Sequence, residues 1–202
     1  MFTGAQISLY PMTDRFVAVI LEAVASLEPW RERLRIETDE LSTLIVGPPE
    51  DLVPAMRDLF VGAARTGLHV VLAATLSRGC PGSPDDPSCA SPRVSGRALP
   101  AEERIREALA RVREAPLLGQ QAVAQAALYP LGTEAHMEEI AACIGFLDLS
   151  GLMERPKNFC TKLRGDAGPL FAGIAEAFLS FGAPEAHVTM DLKVSANSPG
   201  AR

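Results

Sequence analysis

Hydrophobic and polar positions alternate with two different periods along the first eighty residues. A period of two over residues 6–10 predicts a strand, and Pro11 ends it because proline cannot donate to a sheet ladder. Apolar residues then recur at helical spacing, as at Phe16, Ile20 and Ala23. The predicted order is strand, helix, strand, strand, helix and strand, over residues 6–10, 13–27, 34–38, 41–47, 48–66 and 69–77.

The same pattern returns in the second half of the chain. Tyr10 corresponds to Tyr129 at an offset of 119, and His69 corresponds to His187 at an offset of 118. Such a period is too long for a solenoid repeat and indicates a duplicated domain. The element order is ferredoxin-like, with both helices on one face of an antiparallel sheet. The sequence therefore predicts an α+β protein of tandem duplicated ferredoxin-like (βαββαβ) domains with antiparallel sheets.

The predicted domains are residues 4–82 and 122–200, joined by a Pro/Ser-rich linker with a short amphipathic helix at 83–121. Each copy is small, so we expect extensive mutual packing or oligomerisation. Cysteine placement is typical of small buried residues in a reducing compartment, although a bridge between Cys80 and Cys89 is an alternative.

Charge and hydropathy argue against several classes of partner. The net charge is −6 with a pI near 5.1, and no basic run interleaved with aromatic residues occurs, so we expect no nucleic-acid partner. No apolar run approaches the length of a membrane span, and no leader-like start occurs, so we expect a cytoplasmic protein without membrane insertion.

Catalytic motifs are also missing from the sequence. There is no Walker loop, Gly-x-Gly-x-x-Gly, His-Glu-x-x-His or Gly-x-Ser-x-Gly segment, so an enzyme has no motif support. His69 and His187 open equivalent strands, and without neighbouring metal-ligand or catalytic spacing a structural role is favoured for both.

Polar residues at apolar positions are the stronger indication of a site. Thr43 lies in register with Leu41 and Ile45, and Thr161 lies in register with Phe159 and Leu163, so each hydroxyl is predicted to face the apolar side of its sheet. Either a ligand or a neighbouring carbonyl would satisfy these hydroxyls, and the pattern leaves both open.

Further polar and aromatic groups accompany these threonines. Ser8 and Tyr10 share one side of the first strand, and their counterparts are Ala127 and Tyr129. Each tyrosine precedes a proline at the corner between strand and helix, where its ring either walls a pocket or packs against the turn.

Several motifs together resemble the YkoF family. They are Ser-Leu-Tyr-Pro-Met-Thr-Asp at 8–14, Thr-Asp at 38–39 with Ser-Thr at 42–43, Gly-Cys-Pro-Gly at 79–82, Ala-Leu-Tyr-Pro at 127–130 and Val-Ser-Ala-Asn-Ser-Pro at 194–199. The resemblance covers both repeats. It implies tandem ferredoxin-like domains, a homodimer, and one site per repeat for thiamine or its hydroxymethylpyrimidine moiety.

On this resemblance, nine residues become candidate ligand contacts. The family's binding hydroxyls fall on Ser8, Thr43 and Thr161. Position alone adds the remaining candidates, which are Tyr10, Met12, Asp39, Ser42, Tyr129 and Asn197. No metal or cofactor is implied, because hydroxyls and a carboxylate can match an aminopyrimidine, and an acidic protein suits the thiazolium cation.

The two predicted sites differ in charge. Lys157 stands where the first copy has Asp39, so we expect unequal affinities in the two repeats. The predicted function is non-enzymatic binding in thiamine precursor salvage or delivery, with a functional link to a thiamine-precursor transporter. The alternatives are a ferredoxin-like regulatory module that senses an amino acid or nucleobase, and a purely structural oligomerisation domain.

Overall fold

A computed structural model describes residues 2–80 and 96–200 of the chain. Within these residues each repeat has four strands and two helices, and one further helix precedes the second repeat. The first repeat contains β1 (Phe2–Pro11), α1 (Phe16–Ala25), β2 (Arg35–Thr38), β3 (Thr43–Val46), α2 (Pro49–Ala64) and β4 (Val70–Cys80). The helix α3 (Ala101–Glu114) is followed by β5 (Gln121–Leu131), α4 (His136–Leu149), β6 (Met153–Pro156), β7 (Thr161–Asp166), α5 (Ala167–Ser180) and β8 (His187–Ala196).

All eight strands form one antiparallel sheet in the order β2-β3-β1-β4-β8-β5-β7-β6. Each half of this order is the four-stranded sheet of a ferredoxin-like unit, which confirms the predicted tandem fold. The two sheets merge because β4 pairs with β8 along their lengths, from Val70 opposite Ala196 to Arg78 opposite Val188. Each of these strands would otherwise be a sheet edge with unpaired backbone groups, so the pairing satisfies both.

A matched pair of side-chain hydrogen bonds closes the two ends of this junction. His69 Nε2 lies 3.1 Å from Ser195 Oγ, and His187 Nε2 lies 2.9 Å from Ser77 Oγ. The residues of one pair are the 118-offset counterparts of the other. Both histidines thus have the structural role that the sequence predicts.

The main core lies between the sheet and the helices on one of its faces. At its centre α2 packs on α5, where the rings of Phe60 and Phe171 are 5.5 Å apart and both side chains are buried. Because one helix comes from each repeat, the core is continuous across the molecule. Burying an aromatic side chain of this size contributes about 2–3 kcal/mol, so this contact holds the repeats together.

The amphipathic helix α3 is attached to the second repeat by charged groups as well as apolar ones. Arg104 is buried and donates two hydrogen bonds to the Glu139 carboxylate of α4, at 2.8 and 2.9 Å, and one to the Ser180 carbonyl at 2.6 Å. The carboxylate of Asp166 caps α5 by accepting from Gly168 N and also accepts from the backbone of the segment after α3. A structural role for α3 follows from these contacts.

Two sequence predictions need correction or restriction here. We expected strands at 34–38 and 41–47, but residues 39–42 form a turn and β3 begins at Thr43. The alternative of a Cys80–Cys89 bridge involves a residue outside the described ranges. Within those ranges, no helix has the length and apolar character needed to cross a membrane.

Candidate ligand-binding site

A cavity of about 350 Å³ lies in the second repeat. Its walls are the end of β5, one face of α4 and the segment that joins β6 to β7. The lining is mainly apolar, and its volume is at the lower end of the range for small-molecule sites. Residues from these walls include Ala126, Tyr129, Ile140, Cys143, Ile144, Phe159 and Thr161.

Small side chains in the second repeat explain why this space exists. Ala126 and Ala177 line the cavity, whereas their counterparts in the first repeat are the buried Ile7 and Leu59. Because each alanine side chain is three carbon atoms smaller than isoleucine or leucine, the two replacements leave space unfilled beside the sheet. The second repeat thus has room for a ligand where the first has its own side chains.

Thr161 carries the most buried hydroxyl in the lining of the cavity. The residue pairs with Ala126 of β5, is 6% exposed and faces the helix-covered side of the sheet. Its counterpart Thr43 lies opposite Ile7 in the same way, and the Thr43 hydroxyl is 3.0 Å from that of Thr38. The position of Thr38 is occupied by Pro156 in the second repeat. Among the described residues, Thr161 therefore lacks the hydroxyl partner that Thr43 has.

Two cysteines and a tyrosine complete the lining of the cavity. Burial raises the pKa of Cys143 to about 12, so this thiol is neutral and acts as a small apolar wall. Cys160 Sγ lies 3.7 Å from Gln125 Oε1. Tyr129 is 45% exposed and forms part of the rim, so its ring is available to an entering ligand.

A second, wider cavity of about 610 Å³ adjoins the first on the open face of the sheet. The turn at residues 157–160 lines both cavities, and a hydrogen bond of 2.8 Å from Lys157 N to Cys160 O closes that turn. Arg155 and Asp191 line only the wider cavity. A ligand held beside Thr161 would thus have charged groups around the adjacent opening.

In the first repeat, the predicted residues meet around the equivalent turn. Ser8 Oγ donates to the Leu41 carbonyl at 3.1 Å, and Gln6 Nε2 donates to Ser42 Oγ. Ser8 belongs to the open face of the sheet, because the adjacent Ile7 is buried under the helices beside Thr43. The structure therefore brings Ser8 and Thr43 to the same corner from opposite faces of the sheet.

Asp39 organises this turn. Its carboxylate accepts hydrogen bonds from Leu41 N and Ser42 N, each at 2.8 Å, and these bonds lower the pKa of Asp39. The capping also explains why Leu41 lies in the turn, 77% exposed, instead of in the strand as predicted. Its counterpart Phe159 is likewise 88% exposed, so the predicted strand register of both residues with their threonines is wrong.

The remaining candidates differ in position. Tyr10 is 48% exposed at the end of β1, and Met12 follows it at 54% exposed, with its backbone N–H bound to the His69 carbonyl. Asn197 lines neither of these two cavities. Its side-chain amide instead donates to the carbonyls of Ala64 and Leu68, where α2 leads into β4.

Sequence reasoning missed the contribution of α4. The helical spacing of Ile140, Cys143 and Ile144 predicts only a core-facing side of the helix. In the structure these residues also line the cavity. The available signal was the loss of volume at Ala126 and Ala177 relative to the first repeat. In the described ranges, no group of three or more His, Cys, Asp or Glu side chains is placed to hold a metal ion.

Fold and cavity together define a class: a tandem ferredoxin-like protein with a small-molecule-sized, largely apolar cavity beside its sheet. The model of the YKOF-related Family matches residues 2–83 and 121–201, which include both repeats. The chain belongs to this family. It is 28% identical over 199 residues to a Bacillus subtilis (strain 168) protein named "Putative HMP/thiamine-binding protein YkoF", a match that covers 98% of this chain and 92% of the relative.

Proposed function

We propose that this protein binds thiamine or its hydroxymethylpyrimidine moiety, with one site in each repeat. The observation that carries the proposal is the cavity of about 350 Å³ with the buried Thr161 hydroxyl at its wall. The name of the Bacillus subtilis relative, an HMP/thiamine-binding protein by that name, supports the ligand class.

An aminopyrimidine fits the chemistry of this cavity. Its flat ring can pack between the aliphatic face of α4 and the end of β5, while its ring nitrogen or amine bonds the Thr161 hydroxyl. Tyr129 at the rim offers an aromatic face to the part of the ligand that extends outward. Hydroxyl and aromatic groups bind such a ligand without a metal or a cofactor.

The first-repeat site would use the corner at the Asp39 turn, which Ser8 flanks on the open face of the sheet and Thr43 on the helix-covered face. Its hydroxyls already bond protein groups, so ligand binding there exchanges these bonds for ligand bonds. The ionised Asp39 carboxylate would favour a thiazolium cation by charge. The negative charge of Asp39 in the first repeat and the different lining of the second cavity both support unequal ligand affinities in the two repeats.

The role proposed for this binding is salvage or delivery of thiamine precursors by a cytoplasmic homodimer, without catalysis and with a functional link to a thiamine-precursor transporter. A binding protein of this kind needs a site that holds the intact ligand and releases it unchanged. The buried Cys143 suits this, because burial holds its thiol in the neutral form, which is a weak nucleophile.

Calorimetric titration of the full chain tests the ligand class. Thiamine and hydroxymethylpyrimidine should each give saturable heat, whereas cytosine and a set of amino acids should not. An Ala126→Ile variant carries the first-repeat residue at the cavity wall and should lose second-site binding with its fold intact. Binding of a nucleobase or an amino acid alone would favour the regulatory module instead.

A further inference from the structure

The hairpins beside the two proposed sites carry opposite charge. Residues 35–46, which include β2 and β3, have three acidic side chains and one arginine. Residues 153–164, which include β6 and β7, have four basic side chains and one glutamate. The exchange is local: Glu37 corresponds to Arg155 and Asp39 to Lys157, at an offset of 118.

In the second repeat, the uncompensated basic groups lie at the cavities. Lys157 lines both cavities, and Arg155 lines the wider one on the open face of the sheet. The other two basic residues of the hairpin, Lys162 and Arg164, each lie 2.6 Å from the Glu154 carboxylate. Hydrogen bonds from these two side chains lower the pKa of Glu154. The Glu154 carboxylate is therefore ionised, and its negative charge is balanced by Lys162 and Arg164.

No comparable neutralisation is present at the cavity opening. Within residues 2–80 and 96–200, neither Arg155 nor Lys157 has a carboxylate within ion-pair distance. Asp191 also lines the wider cavity, but its carboxylate lies 2.7 Å from Lys193 Nζ. The opening of the second site is therefore positively charged.

The first repeat has the opposite arrangement. The Asp39 carboxylate is held by two backbone N–H groups, which keep it ionised without neutralising its charge. Glu37 lies 3.3 Å from Arg35, and Glu40 adds a further exposed carboxylate. A cation approaching this corner is attracted, and an anion is repelled.

We propose that the two sites have diverged in charge selectivity, and that the second-repeat site takes an aminopyrimidine that carries a phosphate ester. The inference rests on the proposed function. The pyrimidine ring occupies the apolar cavity beside Thr161, and the phosphate lies at the opening near Lys157 and Arg155. The first-repeat site takes the cationic form of the vitamin.

The size of the effect follows from the exposure of these groups. An exposed ion pair adds only a few-fold to an affinity, and salt screens it. Two such ion pairs to one phosphate should together give about a tenfold gain in affinity over the unphosphorylated pyrimidine. That gain corresponds to about 1.4 kcal/mol.

The test compares hydroxymethylpyrimidine with its phosphate by calorimetry on three full-length proteins. The wild type should bind the phosphate about tenfold more tightly than the alcohol, with the gain lost as salt rises. Arg155→Glu with Lys157→Asp should abolish or invert that preference, measured as the ratio of the affinities for phosphate and alcohol in the same variant. The matched control, Arg106→Glu with Arg113→Asp on the exposed side of α3, makes the same change in net charge and should keep the wild-type preference.

Two results would overturn the inference on its own. They are equal affinity for alcohol and phosphate in the wild type, and an unchanged phosphate preference after charge reversal at positions 155 and 157. In both cases hydroxymethylpyrimidine still binds, so the proposed function stands. Absence of heat with either pyrimidine and with thiamine, in folded protein, would overturn the proposed function and the charge selectivity together.

Discussion

At the scale of single residues, the two buried threonines differ in what satisfies their hydroxyls. Thr43 shares a hydrogen bond with Thr38, whereas Pro156 stands at that position in the second repeat and leaves Thr161 facing the cavity. A ligand group that bonds the Thr161 hydroxyl gains a hydrogen bond inside a largely apolar cavity. This difference makes Thr161 the most informative position to change.

Replacing Thr161 by Val should weaken second-site binding about two- to twelvefold, because a ligand hydrogen bond of about 0.5–1.5 kcal/mol is lost. The substitution keeps the shape of the side chain, and thermal stability should be unchanged or slightly raised. Thr75→Val, on the exposed side of β4, is the matched control. Calorimetry showing the same affinity for Thr161→Val and the control would remove Thr161 from the site.

Asp39→Asn tests the charge of the first site separately from its shape. The amide oxygen can still accept from Leu41 N and Ser42 N, so the turn should persist. Thiamine affinity should fall about two- to fivefold, as expected for one exposed charge pair, while hydroxymethylpyrimidine affinity should not change. Equal losses for both ligands would indicate that Asp39 acts on the pyrimidine or the turn.

The pH dependence of that first site follows from the same carboxylate. Backbone hydrogen bonds lower the pKa of Asp39 below its ordinary 3.8, so its charge is fully present above that pH. The preference for thiamine should therefore persist through mildly acidic solution and fade only as the pH drops through the lowered pKa. Titrations at a series of pH values check this, with Asp39→Asn as the variant that should show no such fading.

The sequence predicts the burial of single residues correctly where polar and apolar positions alternate along a strand. It fails where a side chain caps a turn. The burial of Thr43 and Thr161 follows from the alternating pattern. The exposure of Leu41 does not, because the Asp39 carboxylate competes with strand formation by holding two backbone N–H groups. Cavities are harder still, because they depend on volumes summed over several elements.

At the scale of elements, α4 lines the cavity and is also bonded to α3. One face walls the cavity, and the first turn carries Glu139, which accepts two hydrogen bonds from Arg104 of α3 and one from Gly182 N. The hydrogen bonds from Arg104 lower the pKa of Glu139. The position of the cavity wall therefore depends on this ion pair.

Acid should weaken that attachment. Because the folded pKa of Glu139 lies below its ordinary 4.5, the carboxylate contributes stability in full above that pH and loses it as the pH falls through the folded pKa. Glu139→Gln should cost about 2 kcal/mol near neutral pH, less than a fully buried pair because the side chain is 18% exposed. Its stability should then depend less on acid than that of the wild type.

Glu138→Gln is the control for this experiment, since Glu138 is the exposed neighbour in the same first turn. Urea unfolding at neutral and acidic pH measures both variants. Glu138→Gln should match the wild type at each pH. An acid sensitivity of Glu139→Gln equal to that of the wild type would show that the ion pair with Arg104 does not stabilise the fold.

At the scale of the whole molecule, the pairing of β4 with β8 turns two repeats into one sheet. Sequence pattern predicts each ferredoxin-like unit, because periodicity and turn residues are local. It does not predict the junction. The polar alternation of β8 fits a free edge as well as a paired strand, and pairing between residues 110 to 126 positions apart leaves no local signal. Duplicated His69 and His187 were the nearest indication of it.

The shared core predicts that the repeats unfold together. Phe171→Ala in the second repeat should cost about 3–5 kcal/mol, because it empties the contact with Phe60 of the first. Trp30 is the chain's one tryptophan and lies in the first repeat, bonded through Nε1 to Asp58. Its fluorescence should follow the same lowered urea midpoint as circular dichroism does.

Phe159→Ala is the matched control, because that ring is also in the second repeat but 88% exposed. It should leave both midpoints where the wild type has them. If Phe171→Ala lowers the midpoint seen by circular dichroism and leaves the Trp30 transition in place, the repeats are independent folding units.

The central claim is that each repeat holds its own site and that the two sites are unequal. The most direct measurement is the calorimetric count of thiamine bound per chain in the wild type, Thr43→Val and Thr161→Val. We expect two binding events of different affinity in the wild type, with a different one weakened in each variant. Two identical sites, or one event that both substitutions weaken alike, would contradict the account.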